Sequence, residues 1–308
     1  MPLGVGQITF CFWDSSWHVT DAESLRCNIV TGEREERWKE SSLPLFWVEE
    51  VINQRKASTT LRHPGMSVLV CALMFRVADR LLQKLPVPKV VAVDDFRSWK
   101  WRNLAVSLVH SLLTGTWAVS CVIIWPEMAT NIPSFYTAPA YILICISSGY
   151  FVQDAGDIIL TGHARGSWEF LIHHALVLWC FLYSLYSHVY VAGAVVALFV
   201  EVNSITLHLR LMLKLAALQS SPLYTINKFL NLFTYIFFRL SAQFYLTYFI
   251  VQNYSRLEKG GYFLITMILM NIMILIYFYR LLRADFFPRS RTHQQQNGTQ
   301  SNNNVKSS

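Results

Sequence analysis

Charged residues are scarce in this chain. Asp, Glu, Lys and Arg together make up 15% of 308 residues, against roughly 25% in an ordinary soluble domain. So little charge cannot coat a water-facing surface. Cysteine is sparse too: the six present form no CxxC or paired-ligand spacing, so neither a zinc ribbon nor a dense disulfide framework is expected. Cys71, Cys121, Cys145 and Cys180 lie inside apolar runs, where a thiol behaves as a small hydrophobe; only Cys11 and Cys27 stand where they could pair outside a membrane. There is no HExxH, no GxSxG, no phosphate-binding glycine loop and no repeat of a transporter type. Nor is there a filter-like stretch or a ring of like charges, so a channel is poorly supported. The alternating ten-residue strands of a membrane barrel are missing. No basic start leads into an apolar core near Met1, and a cleaved signal peptide is not expected.

What is present is hydrophobic length. Residues of hydrophobic type make up 53% of the chain, and several apolar runs reach the roughly 20 residues that cross about 30 Å of hydrocarbon. Only helices or closed barrels satisfy backbone groups in lipid, so the expected fold class is all-α, a polytopic membrane bundle. Residues 1–65 are read as a soluble, weakly ordered extension, and 66–93 as a short hydrophobic segment and connector. Residues 94–288 form a six-helix unit, and 289–308 a polar tail too poor in apolar residues to fold. Arg76, Asp79 and Arg80 interrupt the first hydrophobic segment, Gly65 to Leu85; it either spans with its arginines snorkelling or lies in the interface.

The six clearer segments are approximately Asn103–Trp125, Pro139–Leu160, Trp168–Tyr186, Val191–Leu213, Phe229–Gln252 and Gly261–Leu282. Before them, Trp99 and Trp101 alternate with Arg97, Lys100 and Arg102 in an aromatic and basic belt of the kind found at a membrane surface. The loop 126–137 has no Lys or Arg, whereas basic residues flank the link between the fourth and fifth segments and follow the sixth. Both ends of the unit are therefore expected in the cytoplasm, although Arg256 and Lys259 sit on the opposite side. Asn297-Gly-Thr299 matches a glycosylation acceptor in a tail that this topology keeps from the glycosylation machinery. The net charge of +7 belongs to these segment ends, not to one soluble face, so no nucleic-acid partner is expected.

Polar residues inside the apolar runs mark the candidate site, because a charge at the bilayer centre costs roughly 2.5–3.5 kcal/mol on insertion scales. Asp154 and Asp157 are three apart and share a helix face; Asp157 either faces inward or is hydrated near the headgroups. His173 and His174 are adjacent, about 100° apart on a helix, so only one points straight at a common centre. A histidine whose tautomer is held by a carboxylate can act as base or nucleophile; otherwise such a pair is packing. Glu201, Ser204 and His208 form one stripe, with Asn203 to the side, and His110 stands beside Ser107, Ser111 and Thr114. Arg239 and Gln243 give the fifth segment an inward cation that would pair with Glu201 or an Asp. Helix-to-helix glue is the plain alternative for all of these, but measured hydrogen bonds of that kind average only about 0.6 kcal/mol. No metal and no cofactor are expected.

Around Tyr150-Phe151-Val152-Gln153-Asp154, Trp168-Glu169-Phe170-Leu171-Ile172-His173-His174 and Leu198-Phe199-Val200-Glu201-Val202-Asn203-Ser204, the chain resembles the TLC-domain family, which includes the ceramide synthases. The likeness runs from about Asp94 to Pro288. With Leu108-Val109-His110-Ser111, Gly149-Tyr150-Phe151 and Phe238-Arg239-Leu240, it is similar to the calfacilitin-like branch, the small TLC-domain-containing proteins 1 and 2. The resemblance implies six helices around an acyl-chain-sized cavity. It also implies a role for His173 and His174, with Asp154, in acyl transfer if the chain is an enzyme, acyl-CoA then being a co-substrate. Where the synthases carry a second pair of aspartates three apart, this chain has Glu201 and Ser204, which argues against ceramide synthesis. The branch instead implies regulation of phospholipid acyl composition and membrane fluidity at the plasma membrane, the endoplasmic reticulum being the alternative. The expected partners are membrane phospholipids or fatty acyl chains. Two competing expectations are an acyl-CoA-dependent lipid N- or O-acyltransferase and a partner-binding modulator of a membrane channel, whose protein partner the sequence does not name.

Overall fold

A computed structural model describes residues 63–84 and 86–287. The expectations for the extension, for Cys11 and Cys27, and for the polar tail fall outside the described residues. Helix α1 spans Pro64–Leu82, α2 Asp95–Ile124, the short α3 Glu127–Thr130, α4 Ala138–Leu160 and α5 Trp168–Ser187. They are followed by α6 Val191–Ala197, α7 Val200–Leu215, α8 Pro222–Thr234, α9 Ser241–Gln252 and α10 Gly260–Asp285. Local chemistry places several of the starts. Asp94 caps α2 by accepting from the Phe96 amide at 3.2 Å, Thr137 caps α4 from Ala140 at 3.4 Å, and Ser221 caps α8 from Tyr224 at 3.2 Å. Pro64, Pro139 and Pro222 sit in first turns, where the missing N–H is not needed.

Five stretches are long and apolar enough to cross a membrane: α2, α4, α5, α10 and the run Val191–Leu215 made of α6 and α7. The sixth expected span is helical from Pro222 to Gln252, but a π-helical turn at Tyr235–Leu240 divides α8 from α9. A break at Leu198 and Phe199 likewise separates α6 from α7. The belt of Trp99 and Trp101 lies on the first turns of α2, not in a connector, because Asp94 starts the helix earlier than the apolar run does.

Burial ranks the helices. In α4, 67% of the apolar window is buried, against 17% in α10, so α4 is the central helix and α10 turns most of its surface outward. Exposed Ile265, Ile268, Leu269 and Ile272 on α10, and Ile226, Phe229, Phe233 and Phe237 around α8, give an apolar exterior suited to lipid. The main core gathers Val68 and Phe75 of α1, Val106 and Ala118 of α2, Leu143, Ile144 and Phe151 of α4, and Phe181 and Leu185 of α5.

Two glycines set how close the helices come. A Cβ on Gly149 of α4 would stand 2.5 Å from Cys71 Cβ and 2.7 Å from the Ala72 nitrogen, so α1 crosses α4 in backbone contact. The weak first hydrophobic segment is thus an integral helix of the bundle. A Cβ on Gly115 of α2 would stand 2.9 Å from the Val202 nitrogen and 3.0 Å from the Glu201 carbonyl carbon. That crossing brings α2 onto α7 at the level of Glu201.

Candidate functional site

Helix α2 carries Asn103, Ser107, His110, Ser111 and Thr114 at spacings that share one face. The face is pressed between α4 and α7. Asn103 Nδ2 donates to Asp154 Oδ1 at 2.6 Å, and Ser111 donates to Glu201 Oε2 at 2.6 Å. Tyr150 donates to Ser107 Oγ at 2.8 Å, and the Ser107 hydroxyl donates to the Asn103 carbonyl at 2.9 Å.

On this frame sit two carboxylate–histidine pairs. The Asp154 Oδ2 and His174 Nδ1 atoms are 3.5 Å apart, and Glu201 Oε2 and His110 Nδ1 are 3.7 Å apart. Neither approach is a formed hydrogen bond, and both Nδ1 atoms are buried without one. His110 has no accessible surface at all. It stacks on Tyr150 with ring centroids 3.8 Å apart, and the rings of Phe75 and Phe151 meet it edge-on. Phe151 also packs on His174, centroids 5.1 Å apart. The aromatic wall shields both pairs from water, where a charge–dipole contact gains strength from the lower dielectric.

The adjacent histidines divide as their 100° offset requires. His174 is buried against Asp154; His173 is half-buried and makes no hydrogen bond among the described residues, its ring touching only that of His174. His173, His208 and Glu201 all lie within electrostatic reach of Arg239. His208 is half-buried with a buried Nδ1 that has no partner.

Asp157 faces inward. One oxygen accepts from Arg76 of α1 at 3.0 Å and the other from the indole N–H of Trp99 at 2.9 Å. It lines a polar cavity of about 520 Å³ together with Asp79, Ser98, Trp99, Arg102 and Asn103. Asn103 thus borders this cavity with its side chain committed to Asp154, which joins the mouth to the inner pair.

Arg239 departs from expectation: it pairs with neither Glu201 nor an aspartate. The π-turn presents it to α7, where Nε donates to Asn203 Oδ1 at 2.8 Å and Nη2 to Ser204 Oγ at 2.7 Å and to the Val200 carbonyl at 3.3 Å. Asn203, set to the side in the sequence, is fully buried; its amide nitrogen donates to Asn231 Oδ1 at 3.0 Å and Thr234 Oγ1 at 3.1 Å. The sequence reading also missed Asn103 and Arg76. Asn103 was findable, because it continues the Ser107–His110–Ser111 stripe by one turn; Arg76 was not, since its partner is 81 residues away. Among the described residues there is no group of three His, Cys, Asp or Glu placed to hold a metal.

Residues 100–283 match the family model of the TLC domain. This chain belongs to the TLC-domain family. It is similar to human TLC domain-containing protein 1, 41% identical over 74% of this chain and 93% of the relative. TLC domain-containing protein 2 of zebrafish (Danio rerio) is 37% identical over 70% of this chain and 88% of its own length; the human protein 2 is 32% identical over 74% and 88%. The matched region begins inside α2, so α1, which supplies Arg76 and Phe75 to the TLC bundle, lies outside the family model.

Proposed function

We propose that this TLC-domain protein sets the acyl composition of membrane phospholipids, and with it membrane fluidity, by holding lipid inside its helix bundle. The observation that supports this best is the buried polar centre of Asp154, His174, His110 and Glu201 within otherwise apolar helices. Interhelical hydrogen bonds in membranes contribute only about 0.6 kcal/mol each on average, too little to account for four ionisable groups there by stability alone. A lipid has the matching duality: methylenes for the apolar walls, and an ester or carboxyl end for the polar centre.

A second reading is acyl transfer from acyl-CoA, a co-substrate and not a bound cofactor. It is favoured by the carboxylate beside His174 and by the unoccupied nitrogens of His173, the arrangement from which a base or an acyl-accepting nucleophile is made. The polar cavity at Asp79 and Asp157 offers a hydrophilic co-substrate an approach beside Asn103.

The test is mass-spectrometric profiling of phospholipids in cells lacking the protein and in cells restored with it. Loss should shift acyl-chain proportions within phospholipid classes, and restoration should reverse the shift; unchanged proportions would overturn the proposal. The expected location is the plasma membrane, where the tagged full chain should co-distribute with a surface marker and not with the endoplasmic reticulum.

A further inference from the structure

Three arginines nearer the helix ends face carboxylates. Arg76 meets Asp157 at 3.0 Å, Arg280 meets Glu169 at 2.8 Å, and Arg210 is paired with Asp285. Arg239 has no carboxylate within 4.0 Å among the described residues. It lies about 20 to 25 Å along the axis from either end of the helical run Pro222–Gln252, at 1.5 Å per residue. Midway along a span is where a cation without a close counter-charge is least tolerable in a membrane. Its three hydrogen bonds all go to neutral acceptors and Nη1 makes none; Glu201 lies within its electrostatic reach and the Tyr235 ring 5.5 Å from it, but no carboxylate closes an ion pair with it.

An apolar cavity lies about two helical turns from this charge. Seven residues beyond Arg239 on its helix stands Leu246, seven beyond His173 stands Cys180, and three before Val200 stands Ala197. All three line a small apolar cavity of about 80 Å³ with Phe181, Phe249 and Met267. Gln243, one turn from Arg239, donates to Met267 Sδ at 3.0 Å, which ties the two places together.

We propose that Arg239 is the counter-charge for the carboxylate of a long-chain fatty acid, whose tail runs toward the apolar cavity between α5, α6, α9 and α10. This rests on the lipid-holding reading above and names its ligand class. A carboxylate matches the guanidinium in charge, and Nη1 is the nitrogen left to donate to it. A phospholipid phosphate belongs at the headgroup level, some 15 Å or more from the middle of the hydrocarbon, and would have to be drawn fully inward. Ser204 is what leaves the site open: an acid at that position would neutralise Arg239 from within.

The test uses the purified full chain in nanodiscs at mildly alkaline pH, with radiolabelled oleate as probe and methyl oleate and oleoyl lysophosphatidate as competitors. The wild type should hold oleate at least tenfold more tightly than methyl oleate. Arg239→Gln and Ser204→Asp should each erase that preference, whereas Arg239→Lys and Ser204→Ala keep most of it. Should Arg239→Gln not fold, the wild-type comparison and Ser204→Asp still decide. Equal binding of oleate and its methyl ester would overturn the proposal, as would a preference that survives Ser204→Asp. Tighter binding of the lysophosphatidate would overturn it in favour of a phosphate. If no probe binds while the protein still shifts phospholipid acyl composition in cells, the inference falls and the proposed function stands.

Discussion

Asp154 lies between two helices, with one oxygen 2.6 Å from the Asn103 amide of α2 and the other 3.5 Å from Nδ1 of His174 on α5. The formed bond is to the asparagine. Asn103 therefore holds the carboxylate, and the carboxylate is then free to orient the histidine. Replacing Asn103 by Ala removes the donor while keeping both members of the pair. A buried acceptor left short of a partner costs about 1–3 kcal/mol, and the membrane average of about 0.6 kcal/mol argues for the lower end. Thermal unfolding of the purified protein should fall by a few degrees. A melting temperature equal to the wild type would show that Asp154 has another anchor.

Gly149 tests the place of α1. A methyl group there meets backbone and Cβ atoms at 2.5–2.8 Å, which cannot be relieved by turning a flexible side chain. Gly149→Ala should cost about 1–3 kcal/mol as overpacking. Gly156, two turns along α4, has nothing within 4 Å of its ideal Cβ. Gly156→Ala should be neutral or stabilise by up to about 1 kcal/mol, the helix preference of Ala over Gly. Paired melting curves of the two variants check this, and equal losses would mean that α1 does not touch α4 there.

Much of this was legible in the sequence. Apolar length gave the helices, and the misfit of Asp154, His174, Glu201 and His110 with that length located the site, because the cost of burying them is a local property. What could not be read was pairing. His110 meets Glu201 because Gly115 lets α2 and α7 touch, a distance relation between residues 91 apart. Arg239 was read as an inward cation able to pair with Glu201 or an Asp; the π-turn sets its hydrogen bonds on Asn203 and Ser204, and no periodicity argument anticipates an extra residue in a helical turn. Helix ends were misplaced at Asn103 and Phe229 because caps at Asp94 and Ser221 extend the helices beyond their apolar stretches.

The buried Arg210–Asp285 pair joins α7 to the end of α10, both side chains under 10% exposed. Breaking one partner of such a pair leaves an uncompensated charge and costs about 3–5 kcal/mol. Asp285→Asn should lower thermal stability by that order, and the exchanged pair Arg210→Asp with Asp285→Arg should recover part of it. The surface-exposed Arg280–Glu169 contact should matter far less, because water and salt screen it. Comparable losses at both pairs would show that the Glu169 contact holds α10 as firmly as the buried pair does.

Topology follows from the basic ends. A glycosylation tag inserted in the loop 126–137 should be modified, and one placed in residues 294–308 should not, as the distribution of Lys and Arg requires. The reverse pattern would invert the bundle and put the Asp157 cavity on the outer side.

The histidines separate acyl transfer from lipid holding. Forming an amide or ester needs a group that takes the proton from the attacking amine or hydroxyl, or that carries the acyl group itself, and a histidine beside a carboxylate does so with the least adjustment. His174 has that carboxylate in Asp154, and His173 has the open nitrogens. Under acyl transfer, His174→Ala and Asp154→Asn should each reduce turnover by about 10²-fold or more, the usual scale for general acid–base groups, and His173→Ala by as much if it carries the acyl group. Folding should survive, because each inward polar contact contributes only about 0.6 kcal/mol. Lipid holding predicts small effects at the same positions, since an acyl chain owes its affinity to burial of methylenes at about 0.8 kcal/mol each. The measurement is phospholipid acyl composition in cells lacking the protein and restored with each variant at equal expression. Restoration to wild-type composition by His173→Ala, His174→Ala and the double variant would remove acyl transfer and leave lipid holding in place; failure of His174→Ala and Asp154→Asn alone, with folding intact, would assign the chemistry to that pair.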